Sequence, residues 1–490
     1  MYFMSILSEK LNEYLVIKKQ TPYQLAQNCP FENATLYQYL NGKRPLKKKE
    51  HLDIIISLLK LTPEEMNQLM EAYEIELIGI DLYRQRQKVE ELLFSLQSIH
   101  SSFEVLNHEN LCETIFHIQN IEESKVFYGE LDVKRVAFAM IYNAFQSGST
   151  IHIFLPLEQK ALLHGLTLLG NLSCSAPAPQ ITHIICFDSD NTKGSIANLE
   201  RLRQVLGYGI AVKSYCPMYF YGNCAEHFSS TNLLPGLILT ETAALQVSFN
   251  GKYALFHENS SIILLFRNFF EQLCGKCHPL MADNINLMNR MECAINNLEK
   301  SDFKKVLEIS SGICSVPFWN RQILETYLNP ELPQYEYILE YYMTYASKLY
   351  EIKRKKLTIL LMKSSFVLDF IKTGIFKEYP PYFFAKPLSL ADRKYILRCI
   401  LSACHEGWYQ IQFVKDTRFP LDYGWELGVV KGSHVLFQYF EQDKSYAFNF
   451  KEPGIVNALY DYLENLSNGQ YAMTPKESKE LLTQWIQQYL

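Results

Sequence analysis

Two groups of side chains near the N-terminus of this 490-residue chain have the chemistry needed to contact double-stranded DNA. The first group lies along one predicted helix and comprises Asn33, Ala34, Thr35, Tyr37 and Gln38. Asn and Gln side chains can each form two hydrogen bonds to adenine in the major groove. The second group is cationic, suits backbone phosphates, and comprises Lys43, Arg44, Lys47, Lys48 and Lys49. We therefore predict base contacts from the first group, and phosphate contacts from the second group and from Thr21.

The sequence from Thr21 to Gly42 predicts two short helices that would position these side chains. Thr21 is a good N-cap, and a proline at the next position suits the first turn of a helix. Because proline disfavours helical geometry in the residue before it, Cys29-Pro30 should end this first helix. The second helix should run from Asn33 to Leu40 and bury apolar side chains at helical spacing. Asn41-Gly42 suits the left-handed backbone that closes a helix.

Residues 6–74 resemble the phage-repressor (Cro-like, XRE-type) helix-turn-helix family of transcriptional regulators, whose domain has five helices. The family pattern aligns without a gap from Thr21 to Gly42. The resemblance implies base contacts from Asn33, Ala34 and Gln38, and phosphate contacts from Lys43 and Arg44. The sequence departs from the pattern at Pro30, where the family has glycine, and at Pro22, where many members have glutamine. The alternative is a helical protein-docking module whose charged run is only a solvated face.

Composition limits the remaining possibilities. The formal net charge is -5, yet residues 1–50 contain eight Lys or Arg against four Asp or Glu, so the basic character is local. The length predicts two to four domains, and 48% hydrophobic residues are enough for well-packed cores. Apolar stretches such as Ser261–Phe266 are too short to cross a bilayer, and twelve scattered cysteines favour reduced thiols. We expect a cytoplasmic protein with no membrane partner.

We predict a multidomain fold in which an all-α helix-turn-helix domain, 1–78, precedes an α/β, sensor-like region with a helical middle segment. A connector or dimerisation helix is expected within 79–110, with an apolar stripe formed by Leu82, Val89, Leu92, Leu96 and Ile99. The same stripe would equally serve to pack this helix on the next domain of its own chain. The predicted domains that follow are an α/β domain, 111–280, a helical segment, 281–375, and a second α/β domain, 376–490.

The second α/β domain is a possible diverged repeat of the first. Tyr253–Leu273 aligns with Tyr446–Leu466, and both segments predict a strand followed by an amphipathic helix. Arg135–Phe154 likewise aligns with Lys394–Phe413. Strands in the first half are expected at Ile151–Leu155, Ile181–Phe187 and Gly209–Val212. Strands in the second half are expected at Trp408–Val414, Trp425–Val430, His434–Phe440 and Tyr446–Phe450.

The search for catalytic chemistry yields one candidate, Asp188, at the end of an apolar strand. Together with Asp190 and Thr192 it resembles the nucleophile motif of haloacid-dehalogenase-type phosphatases. No later strand ends in the acidic residues that would complete a magnesium site, so an ordinary turn is the favoured interpretation. Cys274, Cys277 and His278 have the spacing of a haem-attachment motif or of half a zinc site, but no second cysteine pair follows at a usable interval. We expect no catalytic residues, no metal and no cofactor.

These observations predict a bacterial, sequence-specific transcriptional regulator that binds double-stranded DNA as a homodimer. Its C-terminal region is expected to sense a small-molecule or peptide effector. The aromatic run Tyr379–Phe384 suits either a pocket or an interdomain contact, and Lys415–Arg418 with Trp425-Glu426 suits either a ligand site or ordinary surface loops. The alternative is a phosphatase-like or nucleotide-acting enzyme that uses its N-terminal domain for targeting.

Overall fold

The computed structural model describes residues 5–96, 124–170, 179–189, 193–229, 232–281, 295, 298–299, 303–421, 424–441, 444–468 and 471–490. The chain divides into two compact units, Met1–Lys88 and Val89–Leu490. The first unit is helical where it is described, and the second contains two mixed β-sheets with helices. The protein is therefore multidomain and mixed α/β. None of the described helices is long and apolar enough to cross a membrane.

The first unit is built from five helices and the start of a sixth. They are α1 (Ile6–Ile17), α2 (Pro22–Asn28), α3 (Asn33–Leu40), α4 (Lys49–Leu59), α5 (Pro63–Ile78) and α6 (Ile80–Leu96). Thr21 and Thr62 each form a capping box with the residue three positions later, which fixes where α2 and α5 begin. Helix α2 starts directly after Thr21 and ends before Cys29-Pro30, as predicted, and α3 has the predicted bounds. The core of this unit includes Leu11, Leu36 and Ile55.

The second unit alternates strands and helices. Its strands are β1 (Ser124–Tyr128), β2 (Ile151–Phe154), β3 (Ile181–Asp188), β4 (Tyr215–Gly222), β5 (Gly236–Leu239), β6 (Ala244–Val247), β7 (Tyr253–His257), β8 (His278–Pro279), β9 (Lys305–Ser310), β10 (Leu357–Lys363), β11 (Tyr409–Val414), β12 (Trp425–Val430), β13 (His434–Glu441) and β14 (Lys444–Phe450). Its helices are α7 (Glu130–Ser147), α8 (Lys160–Gly170), α9 (Lys193–Ala211), α10 (Cys224–His227), α11 (Ser260–Cys274), α12 (Arg321–Tyr327), α13 (Tyr335–Arg354), α14 (Ser364–Thr373), α15 (Leu390–Glu406), α16 (Pro453–Leu466) and α17 (Pro475–Tyr489).

Six strands of the first sheet have the same order as the six strands of the second sheet. The first sheet has the order β1-β7-β6-β5-β2-β3-β4-β8 and the second has β11-β10-β9-β12-β13-β14. Three neighbouring strands are parallel in each sheet, β2-β3-β4 and β9-β10-β11, and antiparallel strands extend from the first of them. The six strands from β7 to β4 therefore correspond in order to those from β14 to β11.

The two segment alignments differ in how they relate to this shared order. Tyr253–Leu273 and Tyr446–Leu466 contain β7 with α11 and β14 with α16, which occupy corresponding places in the two sheets. Arg135–Phe154 and Lys394–Phe413 instead align β2 with β11, which occupy different places. Only the first alignment is therefore compatible with the shared strand order.

Two expectations about secondary structure are wrong. Segment 281–375 is not almost wholly helical, because β9 and β10 lie within it and are two neighbouring strands of the second sheet. A boundary at residue 375 would therefore divide that sheet. Gly209–Val212 is not a strand, since α9 continues to Ala211 and the strand begins at Tyr215. Gly209 permits close packing there, because a Cβ at this position would lie 2.9 Å from Phe448 Cε1.

The apolar stripe of α6 is partly covered by its own chain. Val89, Leu92 and Leu96 are buried in the core of the second unit, whereas Leu82 is half-buried. Ile99 lies outside the described residues. These three buried side chains match the alternative in which the stripe packs on the next domain of the same chain.

Candidate functional site

Helix α3 separates its apolar and polar residues as the predicted DNA surface requires. Leu36, Tyr39 and Leu40 are buried in the first unit. Asn33, Ala34, Tyr37 and Gln38 are exposed, and Thr35 is half-buried. Because residues three and four apart share a helix face, burial of the apolar side chains leaves the polar ones in solvent. Four of the five residues predicted to contact bases are thus accessible to a partner.

The connection between α2 and α3 is fixed by aromatic packing on α4. Phe31 stacks on His51, with ring centroids 4.0 Å apart. The hydroxyl group of Tyr39 lies 3.1 Å from His51 Nδ1. Burial, together with the nearby charge of Lys48, lowers the pKa of His51 below its usual value. These contacts hold the start and the end of α3 against α4.

The cationic segment begins where the chain turns back at the end of α3. Gly42 has φ +64°, a conformation that glycine adopts without strain. The backbone N–H groups of Lys43 and Arg44 donate to the Gln38 carbonyl oxygen at 2.9 and 3.3 Å. Lys43 and Arg44 are exposed, and so are Lys47, Lys48 and Lys49. Buried Leu46, 1% exposed, anchors this segment to the core.

Thr21, the other predicted phosphate contact, is exposed and already caps α2. Its Oγ1 accepts a hydrogen bond from the Gln24 N–H at 3.2 Å and donates to Gln24 Oε1 at 3.1 Å. The Thr21 N–H donates to the same Gln24 oxygen at 2.9 Å. A phosphate contact by Thr21 remains a prediction, and the structure assigns this residue a role in starting the helix.

Asp188, the only candidate nucleophile from the sequence, is held by neighbouring groups at the end of β3. Its Oδ2 accepts a hydrogen bond from Arg201 Nη1 at 2.9 Å, and its Oδ1 accepts one from the Cys224 N–H at 3.3 Å. Asn198 bonds both the N–H and the carbonyl oxygen of Asp188. Burial alone would raise the pKa of Asp188, but Arg201 lowers it overall. Asp190 and Thr192 lie outside the described residues.

One cysteine of the pair at the C-terminal end of α11 is likewise engaged in a hydrogen bond. Cys277 Sγ donates to the Leu273 carbonyl oxygen at 3.2 Å. Burial raises the pKa of both Cys274 and Cys277, which favours their neutral thiols. Across the part of the chain that the structure describes, no group of three or more His, Cys, Asp or Glu side chains is arranged to hold a metal ion.

A polar cavity lies against the second sheet and follows from its strand register. Glu308 of β9 pairs with Gly428 of β12, and Ser310 pairs with Glu426. Since alternate residues along a strand share one face of the sheet, these four residues lie on the same side. They line a cavity of about 120 Å³ together with residues of β13, α13 and the segment after α14. We refer to it below as the sheet cavity.

Gly428 contributes to the sheet cavity by lacking a side chain. A Cβ placed there would have Glu308 Cγ, 4.0 Å away, as its nearest neighbour. Opposite this gap, Lys353 of α13 donates to Glu308 Oε1 and Oε2 at 2.6 and 2.8 Å. Burial by itself lowers the pKa of Lys353, but the neighbouring Cys314 and Glu308 raise it overall, so the ammonium form persists.

Glu378 lies in the wall of the sheet cavity and differs from the other carboxyl groups. It is only 5% exposed, and its Oε1 has no hydrogen-bond partner. Burial, reinforced by the nearby Glu426, raises the pKa of Glu378 to about 8. Glu426 Oε1, in contrast, accepts a hydrogen bond from Ser310 Oγ at 2.8 Å.

Sequence reasoning found only part of this cavity. Of the suggested ligand-binding stretch, Glu426 lines it, whereas Arg418 forms an ion pair with Glu90 at 3.5 Å. Tyr379 of the aromatic run also lines it. Glu308, Lys353 and Glu378 were missed because β9 was not recognised as a strand. The signal was present in Lys305–Ser310, where Glu308 and Ser310 alternate with the buried Leu307 and Ile309.

No family model and no curated protein matches this chain. Among solved structures, the archaeal chromatin protein TrmBL2, described as showing a novel mode of DNA binding, is 12% identical, with 55% of this chain and 92% of that chain covered and a TM-score of 0.22. Phosphatidylserine synthase of Haemophilus influenzae Rd KW20 is 10% identical, with 77% and 96% covered and a TM-score of 0.22. Neither likeness is close enough to assign a fold or a function to this chain.

Proposed function

We propose that this chain is a sequence-specific, DNA-binding transcriptional regulator in which α2 and α3 form a helix-turn-helix of the phage-repressor type. The observation that carries the proposal is the exposed polar face of α3. That face presents Asn33 and Gln38, the residue types that read adenine in the major groove. In this arrangement α3 is the recognition helix, and its outer residues contact base edges.

The charge around α3 supports the same proposal. Residues 33–49 contain five Lys or Arg and no Asp or Glu. The backbone bonds from Lys43 and Arg44 to the Gln38 carbonyl oxygen hold the first of these cations at the end of the recognition helix. Cations in this position would neutralise phosphates beside the groove that α3 enters, and would provide affinity that does not depend on sequence.

The second unit would then act as the regulatory part of a cytoplasmic, bacterial homodimer. We assign it ligand or partner sensing and no catalysis, since Asp188 is bonded to Arg201 and Cys224. An effector that binds one conformation of this unit better than another would change DNA occupancy by shifting the population of conformations. Two-fold symmetric dimers of helix-turn-helix proteins bind two half-sites, which is the arrangement proposed here.

The proposal is tested by measuring binding of the full-length protein to DNA from upstream of its own gene and to random DNA of equal length, over a series of salt concentrations. Asn33→Ala/Gln38→Ala should relax the preference for the upstream DNA. Lys43→Ala/Arg44→Ala should weaken binding to both DNAs and reduce the salt slope by about two, one for each phosphate contact removed. Lys10→Gln/Lys60→Asn removes the same charge elsewhere in the first unit and should leave both properties unchanged.

Equal binding to upstream and random DNA, with Asn33→Ala/Gln38→Ala behaving as wild type, would contradict the proposal. That outcome would favour a protein-docking role for the first unit. Turnover of phosphoesters that is lost in Asp188→Asn would favour the enzyme alternative instead.

A further inference from the structure

The segment between α14 and α15 forms a loop whose two ends meet. The Leu388 N–H donates to the Gly374 carbonyl oxygen at 3.0 Å, which closes the loop 374–388. Gly374 has φ +71°, and a Cβ at this position would lie 2.4 Å from Arg393 Nε. Arg393 of α15 fixes both ends by donating, at 2.7–3.2 Å, to the carbonyl oxygens of Leu388, Ile371, Lys372 and Thr373. Compact loops with closed ends are frequently functional.

The aromatic rings of this loop pack on one another and on Trp319. Ring centroids lie 5.1 Å apart for Tyr379 and Phe383 and also for Phe376 and Phe384. The Trp319 ring lies 5.4 Å from Phe376, 5.3 Å from Tyr379 and 5.5 Å from Phe384. Because each ring is held by its neighbours, the aromatic surface of the loop exists before any ligand binds.

Phe376, Tyr379 and Phe384 line a pocket of about 440 Å³, which we call the loop pocket. Its volume falls within the range of small-molecule sites, roughly 300–1,000 Å³. Proline and aliphatic side chains form most of the remaining wall. Lys377 and Lys386 also line the loop pocket, and no Asp or Glu is among its described lining residues. An apolar wall with charge of one sign suits a ligand that has an apolar body and an anionic group.

The two lysines of the loop pocket differ in their surroundings. Lys377 forms an ion pair with Asp369. Lys386 is exposed and lies over the Tyr327 ring, with Nζ 5.6 Å from the ring centre, and it forms no ion pair with any residue that the structure describes. Its ammonium group can therefore donate to a ligand. One such group matches a singly charged carboxylate, whereas a phosphate has more charge and more acceptor oxygens to satisfy.

We propose that the loop pocket binds an aromatic monocarboxylate. The ligand ring packs against Phe376, Tyr379 and Phe384, and its carboxylate accepts a hydrogen bond from Lys386. This names the effector class for the sensing role proposed above and rests on that role only for its effect on DNA. Binding is measured without DNA, so failure of one proposal is distinguishable from failure of the other.

The experiment is calorimetric titration of the full-length protein with phenylpropionate, phenylpropionamide and hexanoate as separate probes. Phenylpropionate should bind. Phenylpropionamide has the same body without the charge, and hexanoate has the charge without the ring, so each should bind about threefold or more weaker.

Lys386→Gln should weaken phenylpropionate binding by about threefold to fivefold, as expected for an ion pair at an exposed position, and should leave phenylpropionamide binding unchanged. A purely structural role of Lys386 would instead weaken the binding of both probes. Lys213→Gln removes the same charge at an exposed position outside the loop pocket and should match wild type with every probe.

Ala385→Trp tests the location of the site. Ala385 lines the loop pocket and is exposed, so a larger side chain there should obstruct the pocket and abolish phenylpropionate binding. Circular dichroism and thermal unfolding should remain those of wild type. Four results would each overturn the proposal: no binding of phenylpropionate, phenylpropionamide binding as tightly as the acid, Lys386→Gln binding the acid like wild type, or Ala385→Trp retaining full affinity.

Discussion

Lys353 Nζ bonds both carboxylate oxygens of Glu308, at 2.6 Å to Oε1 and 2.8 Å to Oε2. The Lys353 side chain is 4% exposed and that of Glu308 is 17% exposed, so the ion pair is largely removed from water. It joins α13 to β9, two elements whose contact was not predicted from the sequence. The pair also balances one of the three carboxyl groups of the sheet cavity.

Removing Lys353 should destabilise the second unit severely. In Lys353→Met the Glu308 carboxylate would remain buried without its partner, and breaking a buried pair in this way costs about 3–5 kcal/mol. The double variant Glu308→Gln/Lys353→Met should recover part of this loss, because no isolated charge remains. Urea denaturation at pH 7 measures both effects. If the unfolding free energy of Lys353→Met lies within about 1 kcal/mol of the wild-type value, the ion pair contributes little to stability.

Glu378 should make stability depend on pH. Its pKa is about 8 in the folded protein against an ordinary value of 4.5, so the folded state keeps a proton that the unfolded chain loses. The associated stability is fully present below pH 4.5 and is lost as the pH rises through 8, at about 1.4 kcal/mol per unit between those values. The total loss is about 5 kcal/mol relative to Glu378→Gln.

The measurement for Glu378 is the difference in unfolding free energy between wild type and Glu378→Gln, taken at intervals from pH 5 to pH 9. Relative to Glu378→Gln, the unfolding free energy of wild type should fall as the pH rises to 8 and then become constant. Parallel stability curves for the two proteins would mean that Glu378 titrates near its ordinary pKa when folded.

Gly312, which lies against the Glu378 side chain, and Gly428 of the sheet cavity should respond differently to alanine. A Cβ at Gly312 would overlap the carboxyl group of Glu378, which is buried and has little room to move. Gly312→Ala should therefore cost about 1–3 kcal/mol through overpacking. Gly428→Ala is the matched control, since its Cβ would lie 4.0 Å from Glu308 Cγ, and it should be neutral or slightly stabilising. Thermal unfolding of both variants checks this contrast, and equal losses would contradict it.

The first unit was the part most accessible from sequence, because its helix ends are set by local chemistry. Thr21 and Pro22 define the start of α2, and Gly42 adopts the left-handed conformation after α3. These signals act within a few residues, so they can be identified without knowing the rest of the fold. The exposed face of α3 is also determined by nearby residues, because burial of Leu36 and Tyr39 decides which side chains remain in solvent.

The second sheet was harder to predict because its central strands are buried on both faces. Leu357–Lys363 is an almost continuous apolar run, and such runs lack the alternation that distinguishes a half-buried strand from a helix. The antiparallel strands that follow, β12 and β13, were found close to their true positions because short turns delimit them. Parallel pairing of β9 with β10 joins residues about fifty positions apart, and no local signal reports it.

The sequence by itself determined the helices of the first unit, the polar face of α3 and the cationic segment after it, since capping, helical periodicity and charge are properties of neighbouring residues. Only the tertiary structure decided that Glu308, Lys353, Glu378 and Glu426 meet in one cavity. These residues lie on two strands, a helix and a loop. Their proximity depends on strand register and on burial, which arise only when distant segments pack together.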